Sequence, residues 1–161
     1  MGTDFPAEDT FGEIVLCRDR ASLDAHRELY SFDISRYAIS GDNILSSLLE
    51  AAAAGVGRLH VAAGWEDLLR IALWSLSAPG MFDVMALLKR CGVTDSELTP
   101  FRNSDIRDLF PWLYYGKKFD ILRRVCNAAR TRTEEKAGRK NLRVICHMTA
   151  EETGRIVASS L

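Results

Sequence analysis

A glycine, then a Phe-Asp pair, then an apolar stripe occurs twice in this chain. "SAPGMFDVMALLKRCG" spans Ser77 to Gly92, and "DLFPWLYYGKKFDILRRVC" spans Asp108 to Cys126. Phe82 and Phe119 are 37 residues apart, Gly41 and Gly80 are 39 apart, and Gly80 and Gly116 are 36 apart. Leu142 lies a further 36 residues beyond Ile106. A period in the thirties is the spacing of antiparallel helix pairs stacked as a solenoid, in which each pair buries its apolar face only against its neighbours.

The segments between the glycines read as helices. In "NILSSLLEAAAA" (Asn43–Ala54), Ile44, Leu45, Leu48, Leu49 and Ala52 form one apolar face, with Asp42 before it and Gly55 after it. "EDLLRIALWSL" (Glu66–Leu76) places two acids in the first turn, where the helix dipole favours them. "FDVMALLKRC" ends in Lys89, Arg90 and a C′ glycine at Gly92. "SDIRDLFPWLYY" is kinked or begins late because Pro111 is costly in a helix interior. "FDILRRVCNAAR" carries Ile121, Leu122, Val125 and Cys126. "NLRVICHM" and the stretch after Thr149-x-x-Glu152 suggest two further helices. "EIVLC" (Glu13–Cys17) and "LRVIC" (Leu142–Cys146) have β-branched character, and periodicity leaves both open between helix and strand. Eight to ten short helices with little sheet is the expectation.

These blocks resemble ankyrin repeats. "GRLHVAAG" (Gly57–Gly64) is similar to that family's opening block, and "GDNILSSLLEAAAAG", "GMFDVMALLKRCGV" and "GKKFDILRRVCNAA" are similar to its second helix. The resemblance implies an all-α fold of about four repeats. It also implies a non-catalytic protein–protein interaction module or scaffold, with His60 bracing neighbouring turns by hydrogen bonding. The domain organisation expected is an acidic N-terminal tail over 1–12 and one helical-repeat domain over 13–161. The apolar "GRIVASSL" ending suggests either a piece of a longer chain or a face that meets a partner.

Net charge is −1, so bulk electrostatics does not mark a nucleic-acid or membrane protein. The charge is polarised, however: Met1–His60 carries −5, Val61–Gly116 −2 and Lys117–Leu161 +6. The four cysteines (Cys17, Cys91, Cys126, Cys146) are far apart and read as reduced, buried thiols of a cytoplasmic protein. "MGTDFPAEDTFGE" lacks a signal peptide's basic and apolar regions, and no run is apolar and long enough to span a bilayer.

Trp112, Tyr114, Tyr115, Lys117 and Lys118 form the expected partner-binding cluster, as aromatic anchors beside steering charges. Trp65 and Trp74 are expected in the core. The basic run Arg123, Arg124, Arg130, Arg132, Lys136, Arg139, Lys140 and Arg143 gives an alternative: a helical domain that neutralises phosphates or an acidic partner. Head-to-tail self-association of the basic and acidic ends is the third reading. No catalytic residue, cofactor or metal is expected. The three histidines and four cysteines show no ligand pair at finger spacing, and no phosphate loop or dinucleotide fingerprint is present.

Overall fold

The computed structural model describes residues 12–160, and it is an α/β fold rather than an all-α stack. The elements in chain order are β1 (Glu13–Cys17), α1 (Arg20–Tyr30), β2 (Tyr37–Ile39), α2 (Ile44–Ala53), β3 (Arg58–Ala63), α3 (Trp65–Leu73), α4 (Met81–Arg90), α5 (Asp95–Leu98), α6 (Leu109–Tyr115), α7 (Phe119–Ala137), β4 (Arg143–Ala150) and β5 (Arg155–Ser159). The strands form one sheet in the order β2-β1-β3-β4-β5. The first four are mutually parallel, and β5 runs antiparallel to β4. Except for Gly12, the acidic tail expected over 1–12 lies outside the described residues.

The ankyrin-like solenoid is therefore overturned, and parallel pairing explains why its sequence misleads. "RLHVAA" is buried from Leu59 to Ala63 because both faces of β3 are covered, so no alternation marks it as a strand. "RVICHMTA", expected in a helix, is β4 for the same reason. Leu59, Val61, Val144 and Cys146 point into the main core with Leu48, Leu68, Leu88, Leu122 and Val125 from the helices. Val15, Cys17 and Ala62 point to the opposite face and meet Leu23, Tyr37 and Phe32. That second cluster is small. Among the described residues, α1 is the only helix that covers it.

The three aligned glycines do different work. Gly41 turns at φ +59, Gly80 sits in extended backbone before α4, and a Cβ at Gly116 would lie 2.6 Å from the Trp112 carbonyl oxygen. Gly116→Ala is expected to cost about 1–3 kcal/mol, because backbone cannot move aside as a side chain can. Gly80→Ser, entering open space at a helix start that no side chain caps, is expected to be neutral or stabilising. Urea midpoints of the two variants test the contrast, and equal losses would contradict it. Pro111 is the third residue of α6, where a missing N–H removes no helical hydrogen bond, so it initiates this helix rather than kinking it.

Candidate metal centre

All three histidines of the chain meet on the α1 face of the sheet. His60 on β3 and His147 on β4 share that face two register steps apart, since His60 pairs with Ile145 and Ala62 with His147. His26 reaches them from the middle of α1. Asp19 starts this helix by accepting from the Ser22 N–H, and Ser31 in left-handed backbone ends it. Ser22, Leu23, Ala25 and His26 form its buried stripe. The rings of His26 and His147 are 0% exposed and that of His60 is 2% exposed.

Three ring nitrogens converge. His60 Nδ1 lies 3.0 Å from His26 Nε2 and 3.0 Å from His147 Nε2. Taken as one donor atom per ring, the set lies within 4.8 Å. Tetrahedral zinc with bonds of 2.0–2.1 Å needs its nitrogens about 3.3–3.4 Å apart, so the two His60 contacts need open by only a few tenths of an ångström, while His26 and His147, within 4.8 Å of each other, set the remaining adjustment. Each outer nitrogen is held by a different partner. His26 Nδ1 meets Tyr37 Oη at 2.7 Å, His60 Nε2 meets Glu13 Oε2 at 2.8 Å, and His147 Nδ1 meets Ser159 Oγ at 2.7 Å.

Proton bookkeeping separates a metal centre from a simple hydrogen-bonded cluster. The Glu13 carboxylate accepts the Nε2 proton of neutral His60, leaving one lone pair on His60 Nδ1. Without a cation, the inward nitrogens of His26 and His147 both compete to donate to that single lone pair. With a cation, the outward N–H groups of all three rings donate to oxygen, and three lone pairs face the ion. This is the outer-partner arrangement that fixes metal-ligating histidines. Burial, reinforced by the neighbouring imidazoles, pushes His26 and His147 down to about 3, and burial also lowers His60 against the opposing pull of Glu13. The rings are thus neutral at physiological pH, as ligands must be.

Aromatic rings close the site. The Tyr30 ring stacks on His26 at 4.4 Å and lies 5.1 Å from the His60 ring and 5.3 Å from the His147 ring. Phe32 lies 5.6 Å from both His26 and His60.

The anticipated sites are elsewhere. Trp112 is half-buried against Phe101 at 4.9 Å, while Lys118 sits over its ring and pairs with Glu97 at 3.1 Å. Tyr114 and Tyr115 line a cavity of about 460 Å³ at the carboxyl ends of β1, β3 and β4, together with Arg18, Asp67 and Glu152. The Tyr115 hydroxyl donates to Glu152. Lys117 is exposed. Ligands of open α/β sheets bind at this end, where the strand order reverses between β1 and β3. Trp65 is buried and bonds the Ile106 carbonyl at 2.9 Å, and Trp74 packs against the main core.

The basic run is not one surface. Arg124 donates to the Cys91 carbonyl at 2.7 Å, and Arg139 donates to the Ala52 and Val56 carbonyls at 2.6 and 2.8 Å, so both brace neighbouring segments. Arg132 pairs with Glu135, and Lys136 lies over Trp74. Arg123 and Lys140 are exposed, Arg130 is half-buried, and Arg143 opens β4.

The four cysteines are buried and free. Burial pushes Cys17 and Cys126 up to about 12 and raises Cys146 well above the ordinary thiol value, which disfavours thiolates there. Cys146 and His147 point to opposite faces of β4, as neighbours on a strand must.

Sequence reasoning misses the histidine centre because its ligands come from three distant elements and share no short spacing. The available signal is that two of the histidines sit inside apolar runs, "RLHVAA" and "VICHMT", while His26 lies in the charged helix segment "LDAHREL" one residue after Ala25 and three after Leu23. No helix among the described residues is long and apolar enough to cross a membrane. No protein-family model matches the chain, and neither a curated protein nor a solved structure shows significant similarity to it.

Proposed function

We propose that this chain is a transition-metal-binding α/β domain in which His26, His60 and His147 hold one ion, zinc by preference, and thereby fasten helix α1 to the sheet. The observation that carries this reading is the convergence of three buried ring nitrogens whose outer nitrogens are each oriented by a separate oxygen. Imidazole donors suit zinc, copper, nickel and iron, and a donor set with neither thiolate nor carboxylate disfavours calcium and magnesium. Three protein ligands leave one tetrahedral position for a solvent-derived or exogenous ligand.

The direct test is titration of the chelator-treated protein with cobalt(II). One equivalent is expected to develop the intense visible bands of a four-coordinate ion, and zinc is expected to displace it. A band shift on adding azide would show that the fourth position exchanges. Cobalt that stays six-coordinate and weakly bound would defeat the proposal.

The interaction-module reading retains a specific support in Tyr115, which is 63% exposed at the rim of the carboxyl-end cavity. Because Trp112 packs on Phe101, the informative variant is Tyr115→Ala alone. It is expected to keep the wild-type urea midpoint within about 0.5 kcal/mol while losing any protein partner captured by the wild type. Capture that is unchanged would remove Tyr115 from the partner surface.

A further inference from the structure

We propose that the cavity at the carboxyl ends of β1, β3 and β4 binds a small organic amine, with a protonated nitrogen carried on an apolar body. The topology builds this site. Residues that follow three parallel strands line it: Arg18 and Asp19 after β1, Gly64 to Asp67 after β3, and Glu151 and Glu152 after β4. The strand order reverses between β1 and β3, and the loops that leave there in opposite directions open a crevice. Helix α6 supplies aromatic rings. Phe110 and Tyr114, one turn apart, stack at 5.6 Å, and Tyr115 meets Tyr114 edge-on at 5.2 Å. Trp65 extends the series, 6.0 Å from Phe110. All four residues line the cavity, and an aromatic face attracts a cation while packing against the carbon that carries it.

The charges around the cavity suit a cation and not an anion. Its two guanidinium groups are already taken. Arg18 lies 2.6 Å from Asp42 and 3.2 Å from Asp67, and Arg107 meets both oxygens of Asp105 at 3.0 Å. Asp67 has Arg70 at 3.7 Å as well. Beyond these pairs, the lining carries Asp19, Glu66, Glu151 and Glu152. Asp19 caps α1 and Glu152 accepts from the Tyr115 hydroxyl, but neither has a cation at ion-pair distance among the described residues. Glu66 and Glu151 have no hydrogen bond or ion pair among the described residues, and Glu66 feels Arg107 only at longer range. The amino end of α3 does not call for an anion, because Glu66 and Asp67 already occupy its first turn. A divalent metal does not match either. Among the described residues the histidines alone bring three ligand atoms together, so these carboxylates are dispersed rather than gathered on one point. Dispersed carboxylates beside stacked rings suit an ammonium on a carbon frame, and a cavity of about 460 Å³ admits one. This site stands on its own geometry and does not require the metal.

The test is calorimetric titration of the full chain at constant ionic strength with phenethylamine, its neutral analogue phenethyl alcohol, spermidine and magnesium. Phenethylamine is expected to fill one saturable site, the alcohol to bind about tenfold more weakly, and magnesium not to compete. Tighter binding of phenethylamine than of spermidine would give the ligand an aromatic body, and the reverse order would give it several ammonium groups on an aliphatic one. Glu66→Gln is expected to weaken phenethylamine about tenfold and leave the alcohol unchanged. Tyr114→Leu keeps apolar bulk but removes the π face, and should weaken the amine about fivefold. Asp83→Asn, exposed on α4 outside the cavity, should alter neither. Glu66 has no hydrogen-bonded partner to lose, so its variant remains informative if Tyr114→Leu fails to fold. Three results would each overturn the proposal: no saturable site for either amine at millimolar concentration, an alcohol that binds as tightly as the amine, or an affinity that ignores Glu66→Gln. Displacement of the amine by magnesium would do so too, because it would make this a metal site. Cobalt binding by the same preparations keeps a failure here distinct from a failure of the histidine centre.

Discussion

Zinc added to chelator-treated protein should raise its thermal midpoint by about 8–16 °C once free zinc is a thousandfold above its dissociation constant. A ligand at that excess stabilises the folded state by about 4 kcal/mol, and each kcal/mol moves the midpoint of a domain this size by about 2–4 °C. The effect should concentrate in α1. Among the described residues this is the only helix over the small cluster formed by Val15, Cys17, Leu23, Tyr37 and Ala62, with Phe32 beside it, so it has little apolar packing to hold it without the ion. Amide exchange along Arg20–Tyr30 should therefore slow with zinc far more than exchange in α7. His147→Ala and His26→Ala should each abolish the thermal shift. Ser159→Ala keeps all three ligands but removes the oxygen that orients His147, and should weaken zinc about 10–100-fold. If His147→Ala retains the wild-type shift, the ion binds elsewhere and the cluster is only a hydrogen-bonded network.

What the sequence reveals and conceals follows from the range over which each signal operates. Helices α2, α3, α4 and α7 are legible because their apolar stripes are local, and their caps and glycines lie within a turn. The strands are concealed by their own burial. A strand covered on one face alternates, but β3 and β4 pack against α1 on one side and the main core on the other, so Leu59–Ala63 reads as a continuous apolar block. An apolar block that includes a leucine-histidine pair then resembles an ankyrin motif without sharing its structure. The apparent period arises because α2, α4 and α7 each begin near a glycine, although α7 runs 19 residues and α2 and α4 run 10 each. The histidine centre is hidden for a different reason. Its ligands are separated by 34 and 87 residues, and only strand register and the placement of α1 bring them together.

The same burial predicts that the metal-free protein is acid-labile well above the usual carboxylate range. In the unfolded chain an imidazole titrates near 6.5, whereas in the fold His26 and His147 are held down to about 3 by burial first, with His147 and His60 adding to it at His26 and His60 at His147. Between those values the unfolded state binds two protons that the folded state refuses, so stability must fall as pH falls. The contribution is fully present above about 6.5 and is lost progressively as pH drops toward 3. Each excluded proton steepens the dependence by about 1.4 kcal/mol per pH unit, for about 2.7 from the pair. The groups around the two rings do not reverse the sign. Glu13 is engaged with His60, Tyr37 is raised to about 12 by burial and stays neutral, and Arg58 opposes protonation of the neighbouring His60. Glu97 and Asp105, both held down to about 2 by hydrogen bonds to their neighbours, lose their contribution only at lower pH. Asp67, raised by burial, acts in the opposite sense, so a fall in stability from pH 6.5 to 5 is the histidines' contribution. Urea titrations in the presence of chelator should show the midpoint dropping steeply across that interval. In His147→Gln, which cannot take up a proton, the slope should be shallower, with the shares of His26 and of His60, which burial also lowers, remaining. A wild-type midpoint that is flat from pH 6.5 to 5 would mean that the folded protein protonates these rings freely, and a site that does so is too open and too wet to be the enclosed metal centre described.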